Sequence, residues 1–103
     1  MSCIFCKIIN KQELSGILYE NNKFIVIKDI NPKAPVHLLI IPKKHIPSVK
    51  EIGQEDKELL GELILVAKEF AEQKCLKGYK LIINVGREDG QIIDHLHLHL
   101  LAQ

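Results

Sequence analysis

Hydrophobic and polar residues alternate with a strict two-residue period near the end of the chain, in the stretch IIDHLHLHLL from Ile92 to Leu101. Such alternation is typical of a β-strand, whose side chains point in turn to opposite faces of a sheet. It predicts that His95, His97 and His99 share one exposed strand face, while the leucines between them enter the core. A helix would separate the histidines, because each helical residue turns the side chain by about 100°.

The rest of the pattern predicts two helices and four more strands. Apolar residues at three- to four-residue spacing predict a short helix in CIFCKIINK and a long one from about Gln54 to Cys75, closed by Gly78. Strand-like runs are GILYENNKFIVIKD, which forms a hairpin around Asn21-Asn22, then VHLLIIP and YKLIINV. Short connections between most strands predict an α+β domain spanning residues 1–103, with an antiparallel sheet of about five strands and helices on one side.

Composition excludes several classes of protein. The 103 residues are 47% hydrophobic and 26% charged, which is typical of a single globular domain. A net charge of +1 argues against nucleic acid as a partner, and no apolar run is long enough to cross a membrane. Three cysteines in a chain without a signal-peptide pattern predict reduced thiols and a cytoplasmic location.

Three imidazoles in a row fit two kinds of chemistry. Neutral imidazole is a common metal ligand, and His-x-His on a strand can chelate an ion. One imidazole can instead act as a nucleophile that its neighbours orient or supply with protons. A fourth histidine, His37 in APVHLLIIP, could complete either site, and alone it would be interpreted as a core residue. The local residues leave both readings open.

The motif HLHLHLL resembles the signature of the histidine-triad superfamily. The segments CIFCKIIN, DINPKAPVHLLIIPKKHI, GYKLIINVG and GQIIDHLHLHLL follow the order and spacing of its Hint branch, the nucleoside phosphoramidases. The resemblance implies a five-stranded antiparallel sheet with two helices, which dimerises into a ten-stranded sheet. It also implies a purine nucleotide substrate and hydrolysis of nucleoside 5′-phosphoramidates through a nucleotidylated histidine. The alternatives are a non-catalytic nucleotide sensor or scaffold and a dinucleoside polyphosphate hydrolase.

The same resemblance assigns roles to the four histidines. His97 resembles the nucleophile, and the backbone carbonyl of His95 would fix its second nitrogen. His99 resembles the donor to the phosphate and the departing group, and His37 the residue that orients His99. We also expect a protonated imidazole near neutral pH to offset the charge of the phosphate.

The nucleotide pocket is implied in the same way. Asp29 resembles the carboxylate that binds the ribose hydroxyls, although alone it would be interpreted as a turn residue before Asn31-Pro32. The residues matching positions that sandwich the base are Ile4, Phe5, Ile8, Ile27, Ile30 and Leu39. Asn84 and Gln91 match groups near the phosphate. Ile92 occupies a position where relatives commonly carry a hydroxyl, and the usual Gly-, Trp- and Pro-bearing tail is absent after Gln103.

The N-terminal CIFC motif predicts a metal site. Cys3 and Cys6 have the C-x₂-C spacing that places two thiolates on one ion. Some histidine-triad proteins and galactose-1-phosphate uridylyltransferases add two histidines, which correspond here to His45 and His95. The resemblance therefore implies a structural zinc with four protein ligands. Cys75 is expected to be a core residue of the second helix.

Overall fold

The fold is a five-stranded sheet with one helix on each face. The computed structural model describes residues 3–13 and 16–103. Its helices are α1 (Ile4–Ile9) and α2 (Lys57–Gln73), and its strands are β1 (Ile17–Glu20), β2 (Phe24–Lys28), β3 (Val36–Pro42), β4 (Lys80–Ile82) and β5 (Leu98–Ala102). The sheet order is β1-β2-β3-β5-β4, with every neighbouring pair antiparallel. The predicted α+β class and five-stranded antiparallel sheet are confirmed.

The two helices cover opposite faces of the sheet, so the expectation of helices on one side is wrong. Long α2 packs on the face formed by residues such as Val26, Ile40 and Leu98. Short α1 packs with Phe5 and Ile8 on the other face. Because both faces are covered, β2 and β3 are buried almost continuously and show little alternation between apolar and polar residues.

The histidine segment differs from the expected strand in two ways. Strand β5 begins only at Leu98, since the backbone N–H of Leu96 donates to the carbonyl of Ile46 in the loop after β3. His95 and His97 therefore lie in an extended segment before the strand. Their side chains are also buried, with 0% and 8% of the residue exposed, so the expected exposed histidine face is wrong. The leucines between the histidines are buried as predicted.

Helix α2 ends at Gln73 and is closed by Cys75, not by Gly78. Cys75 adopts a left-handed conformation with φ of 55°, its N–H donates to the Glu72 carbonyl, and the N–H of Leu76 donates to Ala71. This pair of bonds is a Schellman motif, which closes the helix two residues after Gln73. Cys75 is exposed, so the expectation of a core cysteine is wrong as well.

The edge strand β4 is shorter than predicted. It covers three residues of the YKLIINV run, and all three are exposed. Within residues 3–13 and 16–103, none of the helices combines the length and the apolar character that a membrane span requires.

Candidate active site

Helix α1 brings an aromatic ring against two of the triad histidines. Phe5, on the buried side of α1, meets the ring of His97 edge to face at a centroid distance of 5.1 Å and that of His95 at 5.8 Å. An edge-to-face arrangement is favourable because the positive ring edge faces the negative ring plane. The helix thus covers these histidines and removes them from water.

The hydrogen bonds of His97 determine which of its nitrogens carries the proton. Nδ1 lies 2.7 Å from the carbonyl oxygen of His95, which accepts a hydrogen bond and donates none. Nδ1 is therefore the protonated nitrogen of the neutral ring, and Nε2 carries a free lone pair. Burial lowers the pKa of His97 below its usual 6.5, although the bond to His95 and the charge of Asp29 act in the opposite direction. The ring is a neutral base whose Nε2 can attack an electrophile.

His37, His99 and Asp29 form a second chain of hydrogen bonds on the same face. The backbone N–H of Lys33 donates to His37 Nδ1 at 3.0 Å, so the proton of neutral His37 is on Nε2. That nitrogen lies 2.9 Å from His99 Nδ1 and 3.3 Å from an Asp29 carboxylate oxygen. When His37 donates to His99 Nδ1, the proton of neutral His99 is on Nε2. The Nε2–H of His99 is then the donor that this ring offers. The ring of His99 lies 4.9 Å from the ring of His97, measured between centroids.

The same contacts argue against a metal ion at this second cluster. Asp29, His37 and His99 lie close enough together to bind one. However, the Lys33 N–H occupies the lone pair of His37 Nδ1, so a metal on Nε2 would require loss of the remaining ring proton. The geometry therefore favours a proton-donating chain over a metal centre.

The expected positive charge on His99 is absent from the ligand-free protein. Burial, followed by the neighbouring charges of His97 and His37, lowers the pKa of His99 to about 4, against a smaller opposing effect of Asp29. The expectation of a protonated imidazole near neutral pH concerns the site with a phosphate bound, and there it stays a prediction. A bound anion would raise this pKa, because an opposite charge favours the protonated form.

Two cysteines and two histidines meet behind His97. The ligand atoms of Cys3, Cys6, His45 and His95 all lie within 4.8 Å of one another. Cys6 Sγ is 3.2 Å from His45 Nδ1, Cys3 Sγ is 3.4 Å from His95 Nδ1, and the two Nδ1 atoms are 3.0 Å apart. Four ligands at the Zn–S and Zn–N bond lengths in a tetrahedron would be separated by about 3.3–3.8 Å. The observed spacing is close to that required for a tetrahedral Cys₂His₂ site.

The protonation states of this cluster also suit a cation. His95 Nε2 donates to the Pro42 carbonyl at 2.8 Å, which leaves Nδ1 unprotonated and facing the thiols. Burial, the hydrogen bond of the Cys6 thiol to Cys3 and the charge of Cys3 raise the pKa of the Cys6 thiol to about 11. Two thiolates would need a nearby positive charge, which a bound dication supplies. The residues present thus fit a metal ion of the zinc type.

Known proteins match this chain in both its sequence and its fold. The family model described as "Scavenger mRNA decapping enzyme C-term binding" matches residues 2–103. A HIT family hydrolase from Legionella pneumophila Philadelphia 1 superposes with a TM-score of 0.96 at 41% identity, covering 98% of this chain and 92% of that one. The chain belongs to the histidine-triad (HIT) family.

Two curated HIT-family relatives are of similar length. Protein HitA of Neisseria gonorrhoeae is 43% identical over 102 residues, covering 98% of this chain and 95% of that protein. A protein named purine nucleoside phosphoramidase, from Escherichia coli strain K12, is 43% identical over 101 residues, covering 96% of this chain and 85% of that protein.

The residues expected to bind a base divide into two groups in this HIT domain. Four form one buried apolar cluster between α1 and the sheet, together with Ile25 and Ile41: Phe5, Ile8, Ile27 and Leu39. Ile4 and Ile30 are exposed, at 41% and 89%. Asp29 fits both the expected turn residue and the expected site residue. One carboxylate oxygen accepts the Asn31 N–H in a turn, and the other faces His37.

Gln91 and Asn84 hold the loop that precedes the triad. Buried Gln91 donates to the carbonyls of Pro47 and Ile93, and its side-chain oxygen accepts the N–H of Gly86. Asn84 donates to the carbonyl of Asp89. Their expected contact with a phosphate stays a prediction. Ile92, where a hydroxyl residue was expected, is 83% exposed.

The sequence did not indicate two backbone groups that organise the site. The Lys33 N–H fixes the tautomer of His37, and the Pro42 carbonyl fixes that of His95. Backbone donors and acceptors occur at nearly every residue, so no side-chain pattern could have indicated these two.

Proposed function

We propose that this HIT-family protein is a hydrolase that cleaves nucleoside 5′-phosphoramidates through a nucleotidyl intermediate on His97. The observation that supports this most strongly is the 2.7 Å bond from His97 Nδ1 to the His95 carbonyl. It leaves Nε2 unprotonated and rigidly placed beside His99, as a nucleophile requires. The name of the Escherichia coli relative supports the phosphoramidate as substrate.

The first step forms the covalent intermediate. The Nε2 lone pair of His97 attacks phosphorus, and the bond between phosphorus and the amine nitrogen breaks. The nitrogen keeps that electron pair and takes a proton from His99. His99 acquires this proton when the substrate binds, because the negative phosphoramidate raises its pKa from about 4. Because protonated His99 also carries a proton on Nδ1, the Nε2–H of His37 then donates to the Asp29 carboxylate, which lies 3.3 Å away.

The second step releases the nucleotide. A water molecule attacks phosphorus and gives one proton to His99, and the bond between phosphorus and His97 Nε2 breaks. The electron pair returns to Nε2. The nucleoside monophosphate leaves. His97 is then neutral again, and His99 is protonated again. The buried His95 carbonyl stabilises the positive charge that His97 carries while it is nucleotidylated.

The substrate's nucleoside would bind between α1 and the Asp29 loop. The apolar cluster of Phe5, Ile8, Ile27 and Leu39 is buried between α1 and the sheet and would support a purine bound above it. Ile30 is 89% exposed beside Asp29, and a bound base would cover it. The Asp29 carboxylate can accept hydrogen bonds from ribose hydroxyls.

The Cys₂His₂ cluster is the proposed site of a structural zinc. Cys3 and Cys6 of α1, His45 of the loop after β3, and His95 would hold it, filling four ligand positions. A zinc ion there supplies cross-linking and no chemistry at the substrate. His95 links the cluster to the nucleophile, since its ring faces the thiols and its carbonyl binds His97.

A homodimer is the proposed assembly. Strand β4 is an edge of the sheet, and an unpaired edge is open to pairing with another chain. Beside it lies an exposed apolar surface that includes Ile64 of α2 at 43% and Leu81 of β4 at 37% exposed. Pairing two copies through β4 about a two-fold axis would extend the sheet to ten strands and cover this surface.

A hydrolysis assay separates this function from its alternatives. Adenosine 5′-phosphoramidate and a dinucleoside polyphosphate are incubated with the protein, and AMP release is followed. Turnover of the phosphoramidate alone supports the proposal, and turnover of the polyphosphate alone indicates a dinucleoside polyphosphate hydrolase. Binding of AMP without turnover of either substrate indicates a nucleotide sensor.

A further inference from the structure

A cleft lies where β5 ends and β4 begins, and it borders the face of the sheet that carries His99. Its volume is about 320 Å³, and its lining includes Lys33, Tyr79, Lys80, Ile82 and Leu101. Directly opposed residues of neighbouring strands share a face, and Ile82 opposes His99 while Lys80 opposes Leu101. The cleft therefore begins beside His99 and continues away from the apolar base cluster.

Lys80 and His37 have equivalent positions on the two sides of β5. Both oppose Leu101, His37 from β3 and Lys80 from β4. Each is thus a diagonal neighbour of His99, at a Cβ separation of about 7–8 Å that long side chains can bridge. His37 makes its contact with His99 at 2.9 Å. Lys80 can reach a group bound just beyond His99 on the opposite side.

The two lysines of the cleft form no ion pair with the residues that the structure describes. Lys11, Lys23, Lys43 and Lys44 each have a carboxylate partner within 4.0 Å. Across the part of the chain that the structure describes, neither Lys33 nor Lys80 has such a partner. Lys33 is also tied to the catalytic chain, because its backbone N–H donates to His37. An anion in the cleft would meet two ammonium groups.

We propose that this cleft is the leaving-group subsite and that it selects amines carrying a carboxylate, as amino acids do. The inference rests on the proposed phosphoramidase function, in which the departing nitrogen takes its proton from His99. A carboxylate two or three bonds beyond that nitrogen lies within reach of Lys80 and Lys33. An ammonium at the same place is repelled. Edge-to-edge pairing through β4 uses the backbone of that strand and leaves the face with the cleft open.

Three adenosine 5′-phosphoramidates test the selection by charge. They carry β-alanine, its neutral isostere 3-methylbutylamine, and 1,3-diaminopropane, and unsubstituted adenosine 5′-phosphoramidate reports basal turnover. Exposed ion pairs are individually weak, so two lysines together give the β-alanine compound roughly a 10-fold higher kcat/KM than its isostere. The preference weakens as ionic strength rises, because the lysines are exposed. The diamine compound is the slowest of the three.

Variants of the chain assign the preference to the cleft. Lys80→Gln and Lys33→Gln each reduce the ratio of the β-alanine to the isostere rate several-fold, and Lys80→Gln leaves turnover of the unsubstituted substrate unchanged. Lys57→Gln, on α2 across the sheet, removes the same charge and keeps the ratio. Either cleft variant retaining the full preference overturns the subsite.

The remaining outcomes separate this subsite from the function it depends on. Equal rates for all three amines overturn the subsite and leave the phosphoramidase intact. Absence of turnover of all the phosphoramidates overturns both. Faster release of AMP from ADP than from the β-alanine compound shows that the cleft takes phosphate, and this overturns the assignment to carboxylate-bearing amines.

Discussion

At the scale of single residues, the position of one proton determines what the site can do. The His95 carbonyl holds the proton of His97 on Nδ1, and the Lys33 N–H holds that of His37 on Nε2. Both are contacts to the backbone, so each tautomer is set by the fold and needs no further side chain. The proposed nucleophile, the proposed donor and the residue proposed to orient it are thereby distinguished among chemically identical imidazoles.

A lowered pKa of His97 predicts activity well into the acid range. Protonated His97 has no lone pair to attack with, so kcat/KM falls when the pH drops through the pKa of this residue in the free enzyme. Burial lowers that pKa below 6.5. The acid limb of kcat/KM for adenosine 5′-phosphoramidate, measured from pH 4 to 8, should have its midpoint below pH 6.5. A midpoint at or above 6.5 would contradict a desolvated nucleophile.

The sequence predicted the residues of the site better than their environment. The two-residue period correctly indicated buried leucines, and the spacing of Cys3 and Cys6 indicated a pair of ligands. The family resemblance, not the spacing, indicated that His45 and His95 lie with them. The sequence could not indicate that α1 covers the histidine face or that His95 is completely buried. Such burial depends on contacts between residues about 90 positions apart, such as Phe5 and His95.

At the scale of elements, the ends of the regular segments depart most from expectation. The alternating pattern continues through His95 and His97, yet β5 starts at Leu98 because the preceding backbone bonds to the Ile46 loop. The periodicity of side chains indicates which face of the sheet a residue lies on. It does not indicate which backbone group the residue hydrogen-bonds to. The end of α2 illustrates the same limit, since a left-handed cysteine is uncommon and glycine is the usual residue there.

The left-handed cap of α2 predicts a stabilising substitution. A residue with a Cβ at φ of 55° is strained by about 1–2 kcal/mol relative to glycine. Part of that gain is offset because glycine makes the unfolded chain more flexible. Cys75→Gly should therefore raise the free energy of unfolding, measured in urea, by about 0.5–1 kcal/mol. Cys75→Ala is the matched control, since it removes the thiol and keeps the Cβ. Equal stability of the two variants would show that the cap is unstrained.

The metal cluster predicts a link between α1 and the sheet. Protein purified without chelator should contain about one zinc per chain, measured by elemental analysis. A variant with both Cys3→Ser and Cys6→Ser should lose the metal and melt at a lower temperature, because α1 then loses its cross-link to His45 and His95. Cys75→Ser, at the exposed end of α2, should change neither quantity. A structural zinc would be excluded if wild-type protein contained no metal and melted at the same temperature before and after treatment with zinc.

At the scale of the whole molecule, one sheet carries two distinct functions on its faces. The α2 face is a continuous apolar core that holds the fold, and the α1 face carries the histidines, the cysteine cluster and the Asp29 loop. The edge strand β4 joins the two, since it borders the proposed dimer surface and the cleft beside His99. Assembly and substrate selection would thus depend on the same short strand.

The proposed dimer predicts that one substitution on α2 separates the protomers. On a helix with about 100° per residue, Ile64 lies on the flank of Leu60 and Ala71, away from the Tyr19 and Phe70 contact beside β1. This flank faces β4. Leu65, 56% exposed, lies one residue further around, on the solvent side. Light scattering should give about twice the 11.7 kDa chain mass for wild type and Leu65→Lys, and the single-chain mass for Ile64→Lys. A wild-type particle of 11.7 kDa would contradict the dimer.

The central claim is that His97 carries the nucleotide during turnover, and a trapping experiment tests it most directly. Protein mixed with excess adenosine 5′-phosphoramidate is denatured during turnover under conditions in which a phosphorus–nitrogen bond survives, then digested and analysed by mass spectrometry. We predict an adenylyl group on His97 in wild type, and neither adduct nor AMP release from His97→Ala, whose fold and AMP binding persist. Full activity in His97→Ala, or an adduct mapped to His99 or His37, would contradict the account.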